Sequence, residues 1–172
     1  MNLVLSSWNG AEAQAALDAM LACCGARRWA AAMVALRPVS GLQELSAAAD
    51  RIWGTMEEAD WMEAFACHPR IGERPSRRTA QAPQKSVAWS GQEQSAASSA
   101  TERVLAELAA GNEEYEQRFG FTYIVCATGR SAEEMLAILN RRLAGDRASE
   151  LIEAAEQQRQ ITQIRLGKWL VE

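Results

Sequence analysis

Histidine is nearly missing from this sequence: His68 is the only one in 172 residues. The four cysteines, Cys23, Cys24, Cys67 and Cys126, include no C-x-x-C pair. A zinc site would therefore have to gather most of these residues from distant points of the chain. The cysteines read instead as reduced thiols acting as small buried apolar residues. Aromatic residues make up only 6% of the chain. A basic stripe is also lacking. The net charge is −4, and the pairs Arg27-Arg28, Arg77-Arg78 and Arg141-Arg142 are short enough to read as solvated surface, so no nucleic-acid partner is expected. No apolar run approaches the length of a membrane span. The N-terminus has no charged start followed by an apolar stretch, and Trp169-Leu170-Val171-Glu172 is not a peroxisomal address. A cytoplasmic protein with no signal peptide and no membrane contact is expected. A glycine-rich phosphate loop is lacking too, so, with the single histidine, neither a metal site nor a phosphate-bearing organic cofactor is signalled.

What the chain does contain is alanine, the residue that loses least on entering a helix. Its length suits one domain with a continuous core, and neither an internal repeat nor a domain boundary is visible. Asn9 precedes an apolar face at Ala13, Ala16, Leu17, Met20, Leu21 and Cys24, with Gly25 as a stop. A second helix is predicted through Trp29, Met33 and Leu36, ending at Pro38. Ser40 opens a third, burying Leu42, Leu45, Ala49, Ile52 and Trp53, and a short fourth carries Trp61, Met62 and Phe65. From Cys67 to Trp89 the pattern breaks, with Pro69, Pro75, Pro83 and Gly72, and a long irregular loop is predicted. A long helix follows, with Ala97, Ala100, Val104, Leu105 and Leu108 on one face and a kink or break at Gly111. The run Phe119 to Ala127 is the one strand-like stretch; a single such segment cannot make a sheet, so it should thread between helices. Ser131 with Glu134 forms a capping box for a helix burying Ala132, Met135, Leu136, Leu139 and Leu143. The last helix should run from about Arg147 towards Trp169. The expected fold is all-α, a single-domain bundle of about seven to nine helices spanning residues 1–172, judged by helix-start signals and apolar periodicity.

Three places carry possible chemistry. In Ala66-Cys67-His68-Pro69-Arg70-Ile71-Gly72-Glu73, proline biases His68 towards an extended backbone, which ends the preceding helix and leaves the imidazole at the mouth of a loop. Histidine gives and takes protons near neutrality, though a histidine at a helix end also commonly serves only the terminal carbonyls. In Ser90-Gly91-Gln92-Glu93-Gln94, Ser-x-x-Glu fits a capping box. The functional reading turns Glu93 towards a cleft and offers helix N-terminal amides to an anion. In Gln160-Ile161-Thr162-Gln163-Ile164-Arg165-Leu166, Arg165 flanks the apolar pair Ile161 and Ile164. It either lies in solvent, as most helix charges do, or sits at a cleft edge where its guanidinium can grip a carboxylate.

Taken together and in order, these segments are more specific than any one alone. His-Pro-Arg-Ile-Gly at 68–72, Ser-x-x-Glu-Gln at 90–94, Phe-Gly-Phe-x-Tyr-Ile-Val-Cys-Ala-x-Gly-Arg at 119–130 and Ile-x-x-Ile-Arg-Leu at 161–166 resemble the OHCU decarboxylase family. Trp29 and Arg37-Pro38 share that likeness, which covers nearly the whole chain. OHCU is 2-oxo-4-hydroxy-4-carboxy-5-ureidoimidazoline, formed from urate in purine breakdown. The resemblance implies an all-α, cofactor-free carboxy-lyase that yields (S)-allantoin, and a homodimer. It implies a general acid/base role for His68 and a proton-handling or orienting role for Glu93. It implies substrate contacts at Pro69, at Ser90, Gly91, Gln92, Glu93 and Gln94, at Tyr123, Ile124, Val125, Cys126 and Ala127, and at Arg165. The chain departs from the family pattern at Ala144-Gly145, where members often carry Asn, and at Tyr123, where Phe is more usual.

The chemistry such a site must perform is simple to state. Loss of carbon dioxide leaves an electron pair, and the neighbouring ring imine of the substrate accepts it, doing what a cofactor usually does. The protein must hold the carboxylate, handle the hydroxyl proton and deliver a proton to one face of the ring. Arg165 or helix N-terminal amides suit the first task; His68 and Glu93 suit the others. Two other functions fit the same residues less well. A non-enzymatic helical module binding a ureido or purine-derived metabolite would keep its affinity without His68. A metal-dependent hydrolase acting on a ureido compound is disfavoured by the single histidine.

Overall fold

Most, though not all, of the helix punctuation read from the sequence is present in the structure. The computed structural model describes residues 2–72, 82–95 and 100–172. Among them are nine helices: α1 (Leu3–Gly10), α2 (Ala13–Cys23), α3 (Arg27–Ala35), α4 (Leu42–Trp53), α5 (Glu58–Ala66), α6 (Gln84–Glu93), α7 (Glu102–Phe119), α8 (Ala132–Leu143) and α9 (Arg147–Trp169). The described residues contain no strand, so the all-α expectation holds. None of these helices is long and apolar enough to cross a membrane. Two compact units are formed, Met1–Ala64 with Arg159–Glu172, and Phe65–Gln158. Arg77, Arg78, Pro75, Glu73 and Ala97, which entered the sequence reading, lie outside the described residues.

In the first unit α1 packs on α2, α2 on α3 and α3 on α4. Buried tryptophans tie the layers, because an indole N–H taken out of water needs an acceptor. Trp8 donates to the Ala16 carbonyl at 3.0 Å and Trp29 to the Ala49 carbonyl at 3.1 Å. Trp8 also packs edge-on against Trp169. Arg37 donates to the carbonyls of Trp8 and Ala11 at 2.7 and 2.8 Å, capping the C-terminal end of α1. The Arg37-Pro38 peptide is cis. Two expectations are corrected here. Asn9 does not open α2; it lies inside α1, and its side-chain amide pairs with both backbone groups of Val39. The cap of α1 is Asn2, whose side chain accepts from the Leu5 N–H. Leu42 and Ala13 are exposed, each being the first residue of its helix, before the amphipathic face turns inward.

In the second unit α7 packs on α8. Gly111 does not break α7. A Cβ there would stand 2.7 Å from Leu139 Cδ2, so glycine is what lets the two helices approach. α7 ends where Gly120 adopts φ +83°, a left-handed C-terminal cap. The capping box of Ser131 and Glu134 opens α8 with both bonds formed. α8 buries Ala132, Met135, Leu136 and Leu139 as expected, but the fifth buried position is Arg142; Leu143 is half-buried. The predicted loop does not extend to Trp89, because α6 starts at Gln84 with Pro83 as its N-cap.

Candidate functional site

The helix before the histidine stops where the sequence says it should. α5 ends at Ala66, and the His68 N–H turns back to the Phe65 carbonyl at 3.1 Å. Proline at 69 prevents helix continuation. His68 is half-buried and Pro69 buried. The imidazole Nε2 lies 2.7 Å from the Oε1 of Gln158, a side chain with no exposure at all.

The rest of the His-Pro-Arg-Ile-Gly turn is pinned at three points. Arg70 makes a two-pronged pair with Glu116, Nε to Oε1 at 2.9 Å and Nη2 to Oε2 at 2.8 Å. The Ile71 carbonyl accepts from Asn112 Nδ2 at 3.0 Å. The Gly72 N–H donates to Gln94 Oε1 at 3.1 Å. Gly72 has φ +83°, and Leu105 and Leu108 close the space where a side chain would go. An irregular turn is thereby held by α7 and by the residue that caps α6.

α6 has an unusual buried face: Ser86, Trp89, Ser90 and Glu93, three of them polar. These positions follow the i, i+3, i+4, i+7 pattern of a helix core stripe, yet they carry a carboxylate only 9% exposed. Glutamate is seldom that buried unless partnered. The capping-box expectation for Ser90 and Glu93 is overturned. Ser90 lies inside α6, its Oγ donating to the Ser86 carbonyl at 3.0 Å, and Glu93 is the last residue of the helix. The Gln94 N–H is spent on the Ser90 carbonyl, so the amides of 90–94 lie at a C-terminal end and provide no N-terminal anion site. Gly91 and Gln92 are on the exposed side.

The stretch after Gly120 is buried without being a strand, as threading requires: Phe121 and Tyr123 to Ala127 are all buried. With no ladder, its polar groups take side chains as partners. The Cys126 N–H donates to Gln157 Oε1 at 2.8 Å, the Cys126 carbonyl accepts from Arg130 at 3.0 Å, and the Ile124 carbonyl accepts from Arg142 Nη1 at 2.7 Å. Arg142, read from the sequence as solvated surface, is 5% exposed and pairs with Glu150 at 2.8 Å; Arg141 is exposed. Tyr115 completes the cluster, donating to Glu150 Oε2 at 2.7 Å. Burial pushes the Tyr115 and Tyr123 hydroxyls well above the ordinary phenol range, Arg142 notwithstanding. Burial works against the charge of Arg142, but Tyr115 and Glu150 outweigh it and hold its pKa above the usual value. The hydroxyl that distinguishes Tyr123 from phenylalanine donates to the Met135 carbonyl at 3.0 Å, so it ties the thread to α8.

Arg165 belongs to the first unit. It is 1% exposed, which overturns the solvated reading. Ile161 is buried as expected and Ile164 half-buried. Cys23, Cys24 and Cys126 are buried and Cys67 is half-buried, and none of the four is in a disulfide.

The structure thus joins His68, Pro69 and Gln94 to one pinned turn, and places Glu93 one residue from the cap that pins it. Sequence reasoning missed Gln158, Glu116, Asn112 and the Arg142–Glu150 pair. Gln158 left a faint signal: it follows Gln157 on a helix whose apolar spacing makes 154, 155, 158, 161 and 162 one face, so a polar residue stood on a core position.

The family model for OHCU decarboxylase matches residues 9–167. A uric acid degradation bifunctional protein of Arabidopsis thaliana is 36% identical over 153 residues, covering 88% of this chain and 46% of that protein. The chain therefore spans less than half of that relative. A 2-oxo-4-hydroxy-4-carboxy-5-ureidoimidazoline decarboxylase of Amia calva is 31% identical over 145 residues, 80% of this chain and 77% of that one. Among solved structures, an OHCU decarboxylase crystallised in the presence of (S)-allantoin superposes with a TM-score of 0.77 at 34% identity, covering 90% of this chain and 99% of that one.

Proposed function

The chain belongs to the OHCU decarboxylase family, and on that premise we propose that it converts 2-oxo-4-hydroxy-4-carboxy-5-ureidoimidazoline to (S)-allantoin and carbon dioxide. The observation that carries the reading is the single histidine, held half-buried at a pinned turn by a buried amide 2.7 Å away. A general acid/base must be within reach of substrate and kept in a fixed orientation.

In this reading the carbon–carbon bond to the carboxylate breaks and its electron pair moves into the ring towards the imine, whose nitrogen takes up the proton that the hydroxyl releases. The hydroxyl gives up its proton and becomes the ring carbonyl. A proton delivered to one face of the ring then fixes the (S) centre. His68 and the buried carboxylate of Glu93 share the two proton transfers. Pro69, Ser90, Gln94 and the stretch Tyr123 to Ala127 contribute walls and backbone groups. Arg165 enters through the family resemblance, as the guanidinium that recognises the substrate's carboxylate. Carboxylate recognition by amides near Ser90 drops out, since those amides end a helix rather than begin one. Neither a metal nor an organic cofactor is needed, because the substrate's imine is the electron sink. A homodimer, which rests on the resemblance, and a cytoplasmic location are parts of the same proposal.

The test generates the substrate in place from urate with the upstream enzymes and follows optically active allantoin by circular dichroism. Addition of the protein should accelerate the appearance of the (S) enantiomer, before and after dialysis against a strong chelator. Formation at the spontaneous rate, giving racemic product, would sink the reading; activity lost to the chelator and restored by one divalent metal would overturn the cofactor-free mechanism.

A further inference from the structure

We propose that Gln158 is the positioning residue of His68, fixing the imidazole plane and keeping the neutral ring in the tautomer protonated at Nε2. The proposal deepens the decarboxylase reading and rests on it for its kinetic half. The atom 2.7 Å from Nε2 is the Gln158 carbonyl oxygen, which only accepts, so Nε2 must carry the hydrogen. Gln158 is fully buried on α9, and a side chain enclosed on all sides presents its oxygen from one place. Its neighbour Gln157 likewise spends its Oε1 on the Cys126 N–H. Two consecutive amides of α9 therefore each serve a segment implicated in the site, one the catalytic turn and the other the buried thread.

The choice of an amide has a chemical reason. A carboxylate at this point would favour the imidazolium and hold a proton that must move during turnover. A carbonyl of an uncharged amide accepts from Nε2–H in both the neutral and the cationic ring, so it orients the group without titrating. Such a residue touches His68 and need not touch the substrate.

A single histidine makes the test direct, because every imidazole nitrogen signal belongs to His68. Long-range 15N–1H spectra of the wild-type protein, without substrate and at a pH where the ring is neutral, should show the Nε2–H pattern. A ring protonated at Nδ1 would overturn the proposal without any variant. Gln158→Leu should collapse the pattern towards a mixture of tautomers. Gln158→Asn keeps the amide but withdraws it by one methylene, and it should do the same. Both variants should lose kcat on the order of a hundredfold, the scale of a misplacement of about 1 Å, with KM changed far less. Wild-type tautomer and kcat in a folded Gln158→Asn would reduce Gln158 to core packing. Wild-type protein that fails to turn over substrate while the variants still scramble the tautomer would sink the decarboxylase reading and leave the positioning role standing.

Discussion

Two irregular segments of the second unit are held in different ways. The thread from Phe121 to Ala127 is buried at every residue but the half-buried Thr122 and is braced by the Arg142–Glu150 pair, both partners nearly sealed from water. The turn from His68 to Gly72 is half-open at its histidine and braced by Arg70–Glu116, whose side chains keep 23% and 14% of their exposure. The thread has lost its freedom to water as well as to protein. The turn is fixed at Arg70, Ile71 and Gly72 and carries its titratable ring at the edge. Irregular backbone in the core needs costly internal partners; irregular backbone at a site needs enough of them to hold one side chain still.

The sharpest break of that contrast is His68→Ala. Turnover should fall roughly 10²–10⁴-fold, the usual contribution of a general acid/base, while circular dichroism and the melting temperature stay close to wild type. Full activity would remove His68 from the chemistry, and unfolding would make it a structural cap.

Arg142→Met should do the converse. It strands Glu150 in the core and frees the Ile124 carbonyl and the Tyr115 hydroxyl of a donor. Breaking a buried pair this way costs about 3–5 kcal/mol, readable in chemical denaturation. Adding Glu150→Leu should recover part of the loss, because no lone charge then remains. Wild-type stability in the single variant would mean that the pair is not what braces the thread.

Arg165→Lys takes the comparison to a buried cation in the other unit. If the guanidinium recognises substrate, lysine keeps the charge but loses the planar fork, and kcat/KM should drop on the order of a hundredfold. A drop in melting temperature with kcat/KM intact would class Arg165 with Arg142.

The smallest effect belongs to Asp146, just ahead of α9, whose carboxylate accepts from the Ser149 N–H at 3.0 Å and from its hydroxyl at 2.7 Å. Those bonds hold its pKa below the usual value. A lowered pKa in the folded state stabilises above the ordinary aspartate range and loses that contribution as the pH falls through the lowered value. Asp146→Asn, which also caps, should leave the melting temperature near neutral pH almost unchanged and flatten its decline in acid. An identical acid profile in the variant would assign the decline to other carboxylates.

Much of this was visible in one dimension. Apolar periodicity and the punctuation at Gly25, Pro38 and Ser131 located most helices, because caps and stops act within a turn of the residue that makes them. The end of α5 at Ala66, just ahead of His68-Pro69, is local for the same reason. Errors arose where one local pattern admitted two structures. Ser90-x-x-Glu93 reads as a helix start, but the helix had begun at Gln84 and these residues became its inner face. Asn9 looked like a cap and became a clamp on Val39. Gly111 looked like a break and was a contact point for Leu139.

The sequence by itself determined the all-α class, most of the helices, the family and the histidine on which the proposed chemistry turns, since each depends on residues close together or on a motif read in order. Tertiary structure alone decided that Arg142 and Arg165 are buried, that Glu93 faces inward, and that Gln158 meets His68 across 90 positions of chain. The physical reason is that burial of a charge and the partner of a ring nitrogen are set by which helices pack together, and packing joins residues that no local pattern relates.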